Sequence, residues 1–464
     1  MISTVYNPFN FLSYGGKKWT KNIITNMILA RIMLKICANL IDYLKKIIFS
    51  EDFISHHKRS SKDFTRRRSL PFPTLIVFLI NFIKGSIQDE LDYYFKAIDS
   101  LDVAVRTVTS SAFCKARKKL KHQAFIELNQ KLLHYFYKHF CFKTWCGFRV
   151  LGVDGSTIQL PNTQEVAEHF GVMHPAQGDP CPMARVSQLF DVLNKVTINA
   201  LISPRGCGER NLAAHHMEHI DRTTLILLDR GYPAFWLFAL ILAQGAHFCA
   251  RIAATWWHPV RKFLASGERE TIITLSASAT SLPYCREYDL PTTALTVRLV
   301  RIDLDNGETE VLITSLCDTE CYPYHVFKDL YHKRWPVEED YKAIKCRIEI
   351  ENFSGKSVEA ICQDFHAKIF SMNLTAVLVH PTRQVIDETN KNRKLFYQPN
   401  MTQALSKMKD SIVLLFQRNN PFDLIVKLFD LFIKTIEPIR PGRSYPRKKA
   451  LKLKRYCFCY KPIR

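Results

Sequence analysis

The spacing of apolar positions changes character along the chain, and the changes mark its organisation. Residues 1–68 hold one apolar run, "NMILARIMLKICANLIDYLKKIIF", which reads as a helix, and close in "HHKRSSKDFTRRRS", a basic linker or arm. From residue 72 to about 142 the pattern is helical. Within it, "VTSSAFCKARKKLKHQAFIELNQKLLHYFY" offers Ser110 as an N-cap for a short helix bearing Lys115, Arg117, Lys118 and Lys119. A short basic helix joined to others suits a DNA-docking module; an exposed cationic helix face is the competing reading.

At Phe148 the texture becomes that of strands. "FRVLGVDGSTIQLP" is β-rich and closes at Pro161, and "SQLFDVLNKVTINALIS" reads as two strands around Leu193-Asn194-Lys195. A helix through "RNLAAHHMEHI" precedes "TLILLDRGYP", a short buried strand ending at Asp229, and "AFWLFALILAQG" is an apolar helix. This alternation predicts an α/β core. Residues 247–317 then read as an all-β insertion, with Asp305-Asn306-Gly307 as a hairpin turn. Helical texture returns to about Leu378, and residues 385–464 read as a helical region ending in a basic tail. The expected divisions are 1–68, a helical DNA-binding domain over 69–146, a catalytic domain over 147–384, and 385–464.

Where helical texture resumes, "YHKRWPVEEDYKAIK" places Tyr331, Arg334, Glu338 and Lys345 along one narrow helical stripe. Val337, Ile344 and Ile348 lie on another flank and would anchor the helix to a core. Pro336 favours a first turn, so Glu338 and Lys345 share a helix while Tyr331 and Arg334 sit on the approach to it. A carboxylate between groups that favour phosphate is the pattern this stripe presents; a stabilising salt-bridge ladder of Arg334 and Lys345 with Glu338 is the competing reading.

Charge narrows the partner. The chain of 464 residues has a formal net charge of +22, which implies a polyanion, nucleic acid or an acidic membrane surface. The tail "RPGRSYPRKKALKLKRYCFCYKPIR", with Arg447, Lys448 and Lys449, has no acid after Glu437, and its interleaved aromatics suit phosphate backbones; a solvated tail is the alternative. The most apolar stretch, "LIVFLINFI", is less than half the ~20 residues a bilayer span needs, so no membrane partner is expected. Residues 1–22 show no signal-peptide pattern, and the 14 cysteines show no paired CxxC spacing. A reducing cytoplasm, with nucleoid association, is the expected location.

Three acids stand out by position. Asp154 lies in the first strand of the α/β core, Asp229 at the carboxyl end of a later strand where open sheets place ligands, and Glu338 on the helix after the insertion. Carboxylates converging from two strands and a helix can hold a pair of Mg²⁺ ions for phosphodiester chemistry, with Mn²⁺ as a substitute. For any single acid the bland reading is a solvated surface charge. Two decoys accompany them. His215 and His219 could share a helix face and bind zinc but lack a third ligand at convincing spacing, and Glu339 and Asp340 point away from the stripe.

Tyr-x2-Arg-x3-Glu-x6-Lys resembles the signature helix of one branch of bacterial insertion-sequence transposases, the DDE type with a ribonuclease H-like core. "VDGSTIQLP", "LILLDRGYP" and "SAFCKARKKL" resemble that family's first-Asp strand, second-Asp strand and amino-terminal helical motif. "NFSGKSVEAICQDFHAKIFSMNL" and "RPGRSYPRKK" look like its downstream continuation, so the likeness covers about residues 70–455. It implies Asp154, Asp229 and Glu338 as a metal-binding catalytic triad, with Tyr331, Arg334 and Lys345 contacting transposon-end DNA. It also implies cut-and-paste transposition at terminal inverted repeats, strand transfer to target DNA, and a homodimer in the synaptic complex. Trp256 and Trp257 are candidates for stacking on a flipped base, with a core role the better expectation. The rival readings are a catalytically inactive or repurposed transposase acting as a DNA-binding regulator, and a metal-dependent repair nuclease.

Overall fold

The computed structural model describes residues 21–66, 68–175, 179–253, 255, 257–304, 307–391 and 393–440. The chain divides into two compact units, residues 142–344 and residues 1–141 with 345–464.

The first of these is built on one sheet. Its strands are β1 (Arg149–Gln159), β2 (Val172–Met173), β3 (Cys181–Asp191), β4 (Val196–Pro204), β5 (Thr224–Leu228), β6 (His247–Ile252), β7 (Glu270–Leu275), β8 (Leu295–Asp303) and β9 (Thr309–Thr314). The order is β2-β3-β1-β5-β6-β9-β8-β7, with β4 paired to β3. Strands β1, β5 and β6 run parallel, and their outer neighbours are antiparallel. The sequence explains the parallel centre. β5 is buried at every residue and apolar from Leu225 to Leu228, as suits a strand covered on both faces. The helix Phe235–Ala243, apolar almost throughout, carries the chain from β5 back to the start of β6, and Phe238 stacks on Phe248 there.

The expected β3–β4 hairpin turns at Asp191–Lys195, where Lys195 takes a φ of 62° and the Asp191 carboxylate accepts the N–H groups of Leu193 and Asn194. Strands β8 and β9 pair as the sequence predicts, with Gly307 at a φ of 84°; Asp305 and Asn306 lie outside the described residues. Residues 247–317, expected to be all strand, correct that expectation. Between their four strands sit the helices His258–Ser266 and Leu282–Glu287, each with proline in its first turn, and Gly267 ends the former in the left-handed region. β6 belongs to the parallel centre, and β9, β8 and β7 extend the same sheet beyond it.

The other unit is helical. Helix Val358–Asn390 is buried along most of its length, with Pro381 inside it, and so runs through the boundary expected at residue 384. Helices Lys21–Ile48, Gln123–His139 and Phe422–Lys434 pack on it. The expected basic extension over 1–68 is therefore corrected from Lys21 onward. Leu34, Cys37, Ile41, Leu44 and Ile48 alternate spacings of three and four and are at most 2% exposed, which makes this helix part of the core. The basic tail with Arg447, Lys448 and Lys449 lies outside the described residues. No helix among the described residues is long and apolar enough to cross a membrane.

The basic helix is Ser110–Arg117, capped by Thr109, whose side chain accepts from Ala112 N; the expected cap, Ser110, is its first residue. Lys115 and Lys118 are exposed, and Lys119 pairs with Asp63 at 3.3 Å. Arg117 departs from the expectation of a DNA contact. It is 5% exposed and donates to Gln363 Oε1, Ser354 Oγ, the Ala360 carbonyl and Asp364 Oδ1, at 2.9, 2.9, 3.1 and 2.9 Å. A guanidinium turned inward onto four acceptors ties the basic helix to Val358–Asn390 and has no face left for DNA. Arg117→Ala strands the buried Asp364 carboxylate, a loss of about 3–5 kcal/mol. Thermal melting should show a lowered midpoint, while DNA affinity measured on the folded variant stays as in wild type. Unchanged melting with weakened DNA binding would return Arg117 to the interface.

Candidate active site

Register brings the first two acids together. Gly152 on β1 faces Leu227 on β5, and Asp154 and Asp229 each stand two residues further on, at the same level, Asp154 within β1 and Asp229 just past the end of β5. Leu228 likewise faces Ala250 on β6, so Arg251 arrives beside Asp229 by the same logic.

Glu338 comes from the helix Trp335–Cys346, and its position depends on a missing side chain. Val337 is fully buried in the cluster formed by Val150, Phe190, Leu225, Leu227 and their neighbours. A Cβ placed on Gly152 would stand 2.4 Å from Val337 Cγ2. Only glycine there allows the helix to lie this close to β1, two residues from Asp154. One turn on, the Tyr341 hydroxyl donates to the Asp154 carbonyl at 3.0 Å and fastens the same contact.

Electrostatics then decides how the acids are held. Burial pushes the Asp154 carboxyl up to about 6; the Glu338 and Asp229 charges add to this, while the Gly155 N–H and Arg334 oppose it. Asp229 is also penalised by burial, yet the Arg230 N–H, Arg334 and Arg251 outweigh that and hold its carboxyl below the ordinary range. Arg334, 5% exposed, places Nη2 2.5 Å from Glu338 Oε1. Arg251 sets Nε and Nη2 at 3.2 and 2.8 Å from Asp229 Oδ1, and its Nη1 at 2.5 Å from Glu310 Oε1. Among the described residues, no three His, Cys, Asp or Glu side chains stand together as ready ligands of one ion. Arginines hold two of the three acids instead. As a donor set the acids fit a hard divalent cation: all are oxygen ligands, and a cation beside Asp154 would favour the ionised form that burial disfavours.

The remaining sequence candidates fall as follows. Tyr331 is half-buried against the core, and its hydroxyl donates to the Leu228 carbonyl at 3.3 Å, so this part of the stripe faces inward more than its spacing suggests. Lys345 lies partly exposed on the same helix as Glu338. Glu339 is exposed, and burial pushes the Asp340 carboxyl up to about 7. His215 and His219 do not share one continuous helix, because Glu209–His215 ends there and a 3₁₀ turn follows. The histidine between them, His216, is buried and bridges Ser187 Oγ and Asn199 Nδ2 at 3.0 and 3.1 Å. Trp257 caps the helix His258–Ser266 and meets Phe238 edge-on; Trp256 lies outside the described residues. In the helical unit, Lys62, Arg66, Arg68, Lys115 and Lys119, with Asp63, line a cleft of about 940 Å³. Sequence reasoning passed over Gly152, Tyr341, Arg251 and Glu310. Only Gly152 carried a signal, a glycine inside a strand, which often marks close approach of another element.

Parallel strands carrying acids at one end, flanked by antiparallel strands, with a third acid on a helix laid against the same sheet, define a ribonuclease H-like α/β domain. Residues 145–374 match the family described as the transposase DDE domain. A curated relative, the transposase InsG of insertion sequence element IS4 from Escherichia coli strain K12, is 23% identical over 324 residues, which are 67% of this chain and 70% of that protein. Among solved structures, a piggyBac transposase synaptic complex with hairpin DNA, determined by cryo-electron microscopy, aligns over 88% of each chain at 12% identity and a TM-score of 0.42. The chain belongs to the DDE-type transposases, and it is a DNA transposase, a DNA-cleaving and strand-transferring enzyme.

The Gly152 contact yields a direct test. Gly152→Ala forces its methyl group into Val337, a destabilisation of about 1–3 kcal/mol, and displaces Glu338 relative to Asp154. DNA cleavage should fall strongly, and Val337→Ala in the same chain should restore much of the thermal stability. If Gly152→Ala melts and cleaves like wild type, the close approach does not set the site.

Proposed function

We propose that this transposase excises and inserts its own mobile element by cut-and-paste chemistry at terminal inverted repeats, with Asp154, Asp229 and Glu338 as the groups that hold divalent metal. The observation that carries this reading is the approach of three acids, from β1, the end of β5 and the helix Trp335–Cys346, near enough that the Glu338 and Asp229 charges both act on the Asp154 carboxyl. Mg²⁺, or Mn²⁺ in its stead, bound by these oxygens supplies Lewis-acid stabilisation of the attacking and leaving oxygens. The chain's own groups do the rest. Arg334 holds Glu338 in the free protein and presents a guanidinium fork suited to a phosphodiester. Tyr331 and Lys345 are assigned to the same strand, the hydroxyl orienting the scissile phosphate and the Lys345 ammonium offsetting its charge. A homodimer pairing two element ends, acting in the cytoplasm on chromosomal DNA, completes the proposal. Retention of all three acids favours an active enzyme over a repurposed regulator.

Asp154→Asn, Asp229→Asn and Glu338→Gln should each abolish cleavage of element ends while leaving end binding largely intact, by gel-shift and cleavage assays on the same preparations. EDTA should stop cleavage, and Mn²⁺ should restore it. Full cleavage by any of the three variants sinks the assignment.

For backbone contact we assign the basic cleft and the exposed Lys118 to DNA phosphates, together with Arg447, Lys448 and Lys449 of the tail. End binding should then weaken steeply with salt. Neutralising Lys115, Lys118 and Lys119 together should reduce the slope of log affinity against log salt by about 3, as should neutralising the tail triplet. An unaltered slope removes the corresponding segment from the interface.

A further inference from the structure

Arg251 is the residue at the site that the reaction as described leaves without a task. It is partly exposed, like the two acids it bridges, with side-chain exposures of 24% for Arg251, 33% for Asp229 and 21% for Glu310. Its guanidinium is divided between them. The Nε–Nη2 edge converges on one oxygen, Asp229 Oδ1, which also accepts the Arg230 N–H at 2.7 Å, while Nη1 goes to Glu310. Two acids share one cation, so neither is fully satisfied by it. An Nε–Nη2 edge gathered on a single oxygen uses a fork that is shaped for two.

We propose that Arg251 is a positioning residue that competes with divalent metal for Asp229 in the free protein, and that Glu310 retains it at the site when the metal displaces it. The proposal rests on the reading of Asp229 as a metal-holding group. Charge supplies the argument. A hard cation approaching Asp229 meets the fixed positive charge of Arg251 on the same oxygen and must displace it to bind. Displacement does not expel the guanidinium, because Nη1 remains on Glu310. It frees the Nε–Nη2 edge, the bidentate edge that suits a phosphodiester oxygen pair. DNA phosphate therefore draws Arg251 off Asp229 while the metal takes its place, and the two bind more favourably together than either alone. No covalent step is involved; the exchange is one of ion-pair partners.

Mn²⁺ binding to the full chain without DNA, followed by electron paramagnetic resonance of the free ion, tests this independently of catalysis. Arg251→Gln should bind Mn²⁺ about tenfold or more tightly than wild type, since the competing charge is gone. Glu310→Gln should shift affinity the other way, because Arg251 then pairs with Asp229 alone. A merely structural pair would move both variants in the same direction. A duplex ending flush at the element end, which lacks the flanking phosphodiester bond that end cleavage breaks, supplies the second arm. Wild type should bind it more tightly when Mn²⁺ is present, and Arg251→Gln should lose most of that gain. Mn²⁺ affinity that is unchanged or weaker in folded Arg251→Gln overturns the proposal, as does an equal Mn²⁺ effect on duplex binding in the two proteins. If instead Asp229→Asn still cleaves element ends, the metal reading of Asp229 has failed. Should that variant be inactive while Arg251→Gln leaves Mn²⁺ affinity untouched, the metal reading stands and only the competition is wrong.

Discussion

Three carboxylates gathered in a partly buried place repel one another unless a cation stands among them. The site is organised around that constraint. Burial, with a smaller push from the other two acids, raises the Asp154 carboxyl, whereas Asp229 and Glu338 are each held by a guanidinium. The two arginines come from different elements, Arg251 from the end of a parallel strand and Arg334 from the turn ahead of the third acid's helix. Neither is a bystander, because removing either leaves an acid uncompensated in a low-dielectric place.

The fold provides the convergence through ordinary strand register and one packing exception. Parallel register sets Asp154, within β1, level with Asp229 just past the end of β5, and Arg251 of β6 beside it, at the carboxyl end of β5 where open sheets place ligands. The helix bearing Glu338 would stand off the sheet by the width of a side chain if β1 carried one at Gly152. Val337 beneath and Tyr341 one turn on fix the helix at two points around the acid. The same residues that stabilise the core thus aim the carboxylate, and stability and function are coupled there.

In the helical unit a comparable rule operates with another outcome. Charged groups that sequence spacing would assign to a surface are drawn inward wherever a complete set of partners exists. Arg117 meets Gln363, Ser354 and Asp364, and Glu90, nearly fully buried, accepts from the Lys84 and Gly85 N–H groups and from Lys409. Lys115 and Lys118, on the same short segment as Arg117, remain outside. Three basic residues within four positions consequently divide between structure and surface.

Much of this protein was legible in the order of its residues. The apolar run at residues 225–228, the hairpin at residues 191–196 and the apolar helix after Asp229 are set by local pattern, and the structure has each of them. That Asp154 stands in a strand, Asp229 just past the next parallel one and Glu338 on a helix was readable too, because strand and helix patterns in the sequence locate each of them. Tertiary structure alone decided the partners. The inward turn of Arg117, the bridge from Arg251 to both Asp229 and Glu310, and the glycine that admits Val337 join residues distant in sequence through contacts no local period encodes, whereas the Arg334–Glu338 pair, four residues apart, lies within the helical repeat. Periodicity states which face of an element is apolar, but whether a cation on the other face meets water or a carboxylate depends on what the rest of the chain brings to it.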